Sequence, residues 1–150
     1  MAAAAWQIYN AAKRNIANGA IDLDSDVFRL SLFTSASNVL DMVGLSAVGS
    51  CTGEVIEAFG YSSSGKPLTG VQWTQSASAA EMKFTCSPVI FGAAFGNIVG
   101  VKFAVIWKQG LSAGANKLLA CSQLSAVAFF IPSGNNLTIQ PAPTGVFTLK

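Results

Sequence analysis

The run that decides the fold is Asn97 to Lys108, which reads Asn-Ile-Val-Gly-Val-Lys-Phe-Ala-Val-Ile-Trp-Lys. At a period of two, every second position from Val101 to Trp107 is apolar, which is the pattern of one buried face of a β-strand. The opposite face carries Ala104 and Ile106 between two lysines, so we expect it to be half covered by a neighbouring element or a partner chain. The run therefore predicts a central β-strand.

The composition predicts one domain with much apolar surface. A chain of 150 residues suits a single domain over 1–150, and its folding buries roughly two thirds of the surface that the unfolded chain exposes. Hydrophobic residues make up 51% of the chain and charged residues only 11%, against an ordinary charged share of about 25%. Because so few charges cover a free monomer poorly, we expect apolar surface to meet other chains.

Charge and residue types argue against several classes of function. The net charge of +2 is spread along the chain without a basic run, so we expect no nucleic-acid partner. The chain has no histidine, which removes the usual base for a serine or cysteine nucleophile and the usual zinc ligand. Glu54 and Glu57 are close in sequence but point to opposite faces of a strand, so they do not predict a catalytic carboxylate pair. We expect no enzyme, no catalytic residue, no metal and no cofactor.

The three cysteines, Cys51, Cys86 and Cys121, are far apart and lack the close pairs of zinc sites and redox motifs. We expect reduced thiols that act as small apolar residues, which fits synthesis in the cytosol. The first residues contain neither a basic region nor a long apolar region, so we expect no secretory signal.

A membrane span is an alternative for the nearly apolar run from Val89 to Val101. Its glycines recur every four residues, as in closely packed membrane helices. Ser87-Pro88 and Lys102 limit the run to about 13 residues, however, and a helix needs about 20 to cross a bilayer. We therefore expect no membrane partner.

The N-terminal segment predicts an amphipathic helix over residues 2–18. Apolar residues recur there at helical spacing, in the stripe Ala5, Tyr9, Ala12 and Ile16. Asn18-Gly19 then supplies a left-handed stop. Two roles stay open for the stripe, which either covers the chain's own sheet or forms an arm that reaches a neighbouring chain.

Between this helix and the first long strand, Asp22, Asp24 and Asp26 alternate as in the first half of a calcium loop. The glycine position of such a loop is occupied by Val27, and the position of its final bidentate glutamate by Phe33. Calcium binding is therefore the weaker interpretation, and we expect a polar turn.

Residues 26–150 predict an antiparallel β-sandwich or flattened barrel of about seven or eight short strands. The strands have apolar residues at every second position and are separated by turns rich in Gly, Ser or Pro. They are 27–34, 54–59, 71–75, 81–86, 101–108, 117–124 with a continuation or bend over 125–131, and a last pair of 137–140 and 145–150. Residues 35–53 predict a long surface loop, with a short helix over 40–47 as the alternative.

Several motifs follow one another in a characteristic order. The chain opens with an amphipathic segment, a Gly-x-Ile-Asp-Leu-Asp-x-Asp turn and a Phe-x-x-x-Leu-x-Thr strand, which are Trp6 to Asn18, Gly19 to Asp26 and Phe28 to Thr34. Later landmarks are Gly60-Tyr61, Leu68 to Trp73, Ala104 to Trp107, Leu137 to Gln140 and Gly145 to Phe147. Together these motifs resemble a family of small virion proteins from tailed bacteriophages. The run 89–101 departs from the polar, acidic loops of that family and suggests an added contact with a neighbour.

The resemblance implies a structural virion component that is assembled in the host cytoplasm. Its leading implication is a decoration or cement protein on the head surface, which stabilises the shell by binding across subunits of the major capsid protein. It also implies self-association as a dimer or trimer. A neck, tail or host-attachment protein of the particle is the alternative.

Large apolar side chains carry most interface energy, so they are the predicted contacts with a partner protein. The predicted anchors are Trp6, Tyr9, Phe91, Phe95 and Ile98. Packing in the chain's own core is the alternative for each of them. A sugar-binding platform of Trp73 and Trp107 is a further alternative for the function, although tryptophans are more often buried.

Overall fold

The structure, a computed structural model, describes residues 4–76 and 80–149. In these ranges the chain is mainly β, with antiparallel strands and one α-helix, which confirms the predicted fold class. It has twelve strands there rather than seven or eight, because bends divide the long apolar runs and two-residue strands lie at the sheet edges. The elements are α1 Asn10–Ala17, β1 Gln7–Ile8, β2 Phe28–Phe33, β3 Lys66–Pro67, β4 Gln72–Gln75, β5 Met82–Thr85, β6 Val89–Gly92, β7 Ile98–Val101, β8 Phe103–Lys108, β9 Lys117–Gln123, β10 Phe129–Ile131, β11 Asn136–Ile139 and β12 Phe147–Leu149.

Strand β8 lies at the centre of a five-stranded sheet with the order β1-β9-β8-β2-β3. Val105 on one face of β8 and Ala104 and Ile106 on the other are all inaccessible to solvent. The prediction of a central strand is therefore confirmed. On its second face the chain itself covers Ala104 and Ile106 completely, while Lys102 and Lys108 at the two ends stay partly exposed.

The second half of the chain folds as one long antiparallel ribbon. Residues 82–108 run against residues 117–149 in four nested pairs, which are β8 with β9, β7 with β10, β6 with β11, and β5 with β12. These pairs follow one another outward from the turn at 109–116, as in a hairpin whose two arms bend together. The expected pairing of the last two strands is wrong, because β11 and β12 both pair with the earlier arm.

Aromatic contacts join the sheets into two packed layers. Phe28 of β2 meets Phe84 of β5 edge to face, with ring centroids 5.2 Å apart, and Phe84 stacks on Phe147 of β12 at 5.2 Å. Strands β12, β5 and β4 form a three-stranded sheet, so these rings connect it to the five-stranded sheet. This arrangement fits a β-sandwich.

The N-terminal helix is shorter than predicted, because it begins at Asn10 rather than at residue 2. Ala4 N donates a hydrogen bond of 2.8 Å to Gln123 O, and β1 pairs with β9. This extended segment satisfies backbone groups at the edge of β9, which a helix in its place would leave unpaired. Residues 2 and 3 lie outside the described residues. Tyr9 and Ala12 of the predicted stripe are fully buried and Ile16 packs against the core, whereas Ala5 is exposed, so most of the stripe covers the chain's own core.

The predicted strand over 54–59 is wrong, because this segment is a loop with only isolated bridges. Glu54 accepts hydrogen bonds from the Tyr61 hydroxyl at 2.7 Å and from Ser64 N at 2.8 Å. Glu57 also accepts one from the backbone of the same loop, at 3.2 Å. Both carboxylates therefore bind their own loop.

The prediction of a long loop over 35–53 is confirmed, and its only regular element is a 3-10 turn at Val48–Ser50. The Asn38 side chain joins the two ends of this loop, since its amide donates to Ser50 O at 3.1 Å and accepts from Thr52 N at 2.8 Å. The loop is thereby tied to itself by hydrogen bonds.

A buried hydrogen bond between β2 and β8 gives a direct test of the central sheet. Trp107 Nε1 donates to Ser31 Oγ at 3.0 Å, and both residues are almost completely buried. Replacing Ser31→Ala leaves the indole N–H without its acceptor, so we expect the free energy of unfolding to fall by about 1–3 kcal/mol. Urea denaturation measures this change. The exposed Ser133→Ala serves as the control, and an equal effect of the two substitutions would contradict the prediction.

Candidate functional site

Three of the five predicted interface residues lie in the core of the chain. Tyr9 and Phe91 are fully buried, and Ile98 is 2% exposed. The Tyr9 hydroxyl donates to Val39 O at 2.6 Å, and the Phe91 ring packs against Tyr61 with centroids 5.8 Å apart. None of these three side chains reaches the surface, so for each of them the alternative of packing in the chain's own core applies.

Phe95 lies at the apex of the bend between β6 and β7, and its side chain is fully exposed. Phe59, on a neighbouring turn, is 48% exposed. Ala94 N donates to Phe59 O at 2.9 Å, and the ring of Phe59 lies so close over Gly96 that a Cβ there would meet it. Phe59 therefore packs against the bend that carries Phe95, and we call these two residues the aromatic tip.

Both residues of the aromatic tip have left-handed backbone conformations, with φ of 54° at Phe59 and 63° at Phe95. Among the described non-glycine residues only Ser64 shares this feature. A side chain in this region costs roughly 1–2 kcal/mol relative to glycine, and bulky side chains are rare in it. Because Phe95 is fully exposed, its packing within the chain does not offset this cost. Strain of this kind is typical of functional positions.

Hydrogen bonds hold the aromatic tip on a rigid support. The backbone of Ala93 exchanges two hydrogen bonds, of 2.9 and 2.8 Å, with the turn at 132–135. Asn97 Oδ1 accepts a third from this turn at 3.0 Å. Gly60 approaches Gly92 so closely that a Cβ at Gly60 would clash with the Gly92 carbonyl oxygen, so this contact requires glycine.

The strain at Phe95 can be measured directly. Asparagine tolerates left-handed backbone better than phenylalanine, so we expect Phe95→Asn to raise the free energy of unfolding by up to about 1 kcal/mol. Leu111→Asn is the matched control, since Leu111 is also fully exposed but has no positive φ. Chemical denaturation of both variants tests this, and a loss of stability specific to Phe95→Asn would refute it.

Trp6 is half-buried and lines an open groove of about 400 Å³. We call this the Trp6 groove, and it lies where β1 and β9 meet β10 and β11. Its walls are formed by Trp6, Ser122, Leu124, Phe129, Leu137, Thr138, Ile139 and Gln140. Trp73 and Trp107 do not form the alternative sugar platform, because Trp107 is only 2% exposed.

Two of the three aspartates that resemble a calcium loop, Asp22 and Asp26, accept hydrogen bonds within the turn itself. Asp22 accepts hydrogen bonds from the Ser25 hydroxyl at 2.7 Å and from Asp24 N at 2.9 Å, which together lower the pKa of its carboxyl. Asp26 forms an ion pair of 2.8 Å with Lys108. The described residues contain no group of three or more acidic or cysteine side chains placed to hold a metal ion.

The apolar run over 89–101 forms β6, the bend and β7, so it is not the helix that the membrane alternative required. In the part of the chain that the structure describes, no helix combines the length and apolar character needed to cross a membrane. Of the exposed large apolar residues of this run, Phe95 lies at the bend, while Ile90 lies on β6 and Val99 on β7.

The three cysteines are free, as expected. Burial raises the pKa of Cys51 and of Cys86 to about 11, and that of Cys121 to about 12. The folded thiols therefore ionise at a higher pH than unfolded ones, whose pKa is about 8.5. Because the folded chain holds the thiol protons more tightly, the three thiols stabilise the fold fully at a pH below about 8.5. This stabilisation is lost as the pH rises through the folded pKa values of about 11 to about 12.

We expect iodoacetamide at pH 8 to label the folded chain roughly a hundredfold more slowly than the chain in urea, because the thiolate is the reacting species. Mass spectrometry of the labelled peptides follows each cysteine separately. Free cysteine in the same two solvents corrects for the effect of urea on the reagent. Equal labelling rates in the folded and unfolded chain would contradict the raised pKa values.

Phe59 was not predicted as a site residue, because it lay in the predicted strand over 54–59. The adjoining Gly60 was a signal for a turn there.

No protein-family model, curated protein or solved structure matches this chain. The resemblance to phage virion proteins therefore rests on sequence motifs.

Proposed function

We propose that this chain is a structural component of a tailed-bacteriophage particle. Its proposed role is that of a capsid decoration or cement protein, which binds across subunits of the major capsid protein and stabilises the head. The order of its sequence motifs resembles virion proteins of this kind, and its low charge suits a protein that is covered by neighbours in an assembly.

The aromatic tip is the observation that carries the proposal. Phe95 is fully exposed to solvent and Phe59 is about half exposed. Both residues have left-handed backbone conformations, and hydrogen bonds hold the turns that carry them. A rigid exposed aromatic side chain loses little conformational freedom on binding and buries a large apolar area. The tip therefore suits insertion into an apolar pocket of a shell protein.

Multivalent attachment supplies the stabilisation without a reaction. A stable protein contact buries on the order of 1,000 Å² or more, and each copy that touches two shell subunits adds such area across their joint. Self-association as a dimer or trimer would join several tips into one unit, so that binding of the first tip raises the effective concentration of the others. Val99 on β7 and Phe130 on β10 are both more than half exposed and offer further apolar surface for such contacts.

Copy number on the particle separates decoration from the alternative of a neck, tail or host-attachment protein. Quantitative mass spectrometry of purified particles measures the ratio of this chain to the major shell protein. We expect on the order of hundreds of copies, as the symmetry of a head requires. About a dozen or fewer would assign the chain to the neck or tail, and its absence from the particle would refute a virion role.

A second experiment tests the aromatic tip itself. Phe95→Asn and Leu111→Asn each remove one fully exposed large apolar side chain. We expect Phe95→Asn to weaken cosedimentation with undecorated particles at least roughly tenfold, because a central aromatic anchor carries about 2 kcal/mol or more. Leu111→Asn should bind like the unmodified chain. Equal binding of the two variants would show that Phe95 is not the anchor.

A further inference from the structure

The Trp6 groove is a concave surface, separate from the aromatic tip, for which this chain supplies a specific chemistry. It lies between the edge strand β1 with its neighbour β9 and the later strands β10 and β11, and its volume of about 400 Å³ falls in the range of small-molecule sites, about 300–1,000 Å³. Leu124, Phe129 and Leu137 give it apolar walls. The groove shares no residue with the aromatic tip.

Uncharged polar groups converge on the same groove. Thr138 and Gln140, which are exposed, and Trp6, whose indole carries an N–H, are among its lining residues. Among the described residues, none forms a hydrogen bond with the Trp6 indole, the Thr138 hydroxyl or the Gln140 amide. These groups therefore remain available to a ligand as donors and acceptors. No charged side chain is among the described residues that line the groove.

This combination fits the chemistry of a sugar ring. A pyranose has an apolar face of C–H groups, which packs on an aromatic ring, and a rim of hydroxyls that both donate and accept hydrogen bonds. A partly exposed indole matches the first feature, and a carboxamide and a hydroxyl match the second. We propose that the Trp6 groove binds a neutral saccharide of one or two rings.

Other ligand classes fit the lining less well. An anionic ligand would find no cation among the described lining residues to replace its lost hydration. An apolar peptide side chain would cover the polar groups of Thr138 and Gln140 without pairing them, which costs binding energy. A neutral ligand with several hydroxyls satisfies the polar and the apolar parts of the wall together.

Titration calorimetry of the full chain with neutral oligosaccharides tests this inference. The probes are di- and trisaccharides of glucose, galactose and N-acetylglucosamine, with sialyllactose as an anionic probe and a leucine-rich peptide as an apolar one. We expect at least one neutral saccharide to bind with a dissociation constant on the order of 1 mM or below, which suits a shallow site with few contacts.

Two variants locate the binding. Gln140→Ala removes an exposed amide that has no partner in the chain, and Gln72→Ala removes an exposed amide on β4 as the matched control. We expect Gln140→Ala to weaken saccharide binding roughly five- to tenfold, while Gln72→Ala leaves it unchanged. Trp6→Phe keeps an aromatic ring against the core but lacks the indole N–H, and should weaken binding by a similar factor. Thermal unfolding of each variant confirms that the fold is intact.

The inference is overturned if no neutral saccharide binds at concentrations up to roughly tens of millimolar, well above the affinity of a weak site. It is also overturned if only the anionic or the apolar probe binds, or if Gln140→Ala and Trp6→Phe bind like the control. Phe95→Asn should retain full saccharide binding, since Phe95 lies outside the groove. Loss of particle binding and loss of sugar binding are therefore separate outcomes.

Discussion

Burial of β8 on both faces is the constraint on which the rest of the structure depends. Ala104, Val105 and Ile106 have no contact with solvent, so the strand needs neighbours on either side in its sheet and a layer of side chains above and below it. Strands β9 and β2 supply the neighbours. The ribbon of residues 82–108 and 117–149 returns to place its outer pairs in a second layer, where Phe84 packs against Phe28. The same ribbon thus provides both the central strand and much of its cover.

The surfaces proposed for binding follow from the path of this ribbon. Its arms change direction between β6 and β7, and the bend there places Phe95 in a left-handed conformation, which glycine would adopt without strain. The Trp6 groove lies where the chain passes from β9 through β10 to β11, beside the short edge strand β1. Neither surface interrupts the core. Substitutions at Phe95 or Gln140 should therefore separate binding from folding.

Both proposals assign a binding role to these surfaces, and the acidic groups in the two loops are engaged elsewhere. Glu54 and Glu57 accept hydrogen bonds from the backbone of their own loop. Asp22 accepts hydrogen bonds within its own turn, and Asp26 forms an ion pair with Lys108. The described side chains that line the Trp6 groove are uncharged, as at Gln140, and Phe95 presents a fully exposed aromatic ring. A protein that binds a shell subunit and a sugar would use both surfaces at the same time, because they share no residue.

The sequence by itself determined that β2 and β8 are strands with a buried face, because the alternation along them is a local property of the chain. It also determined the polar turn at Asp22, whose partners lie within four residues. Tertiary structure alone decided that residues 7–8 pair with β9 instead of joining the helix, and that β11 and β12 pair with the earlier arm. It likewise decided that Phe91 and Ile98 point into the core while Phe95 points out. A local pattern identifies apolar side chains, but pairing over long sequence distances selects which of them the fold buries.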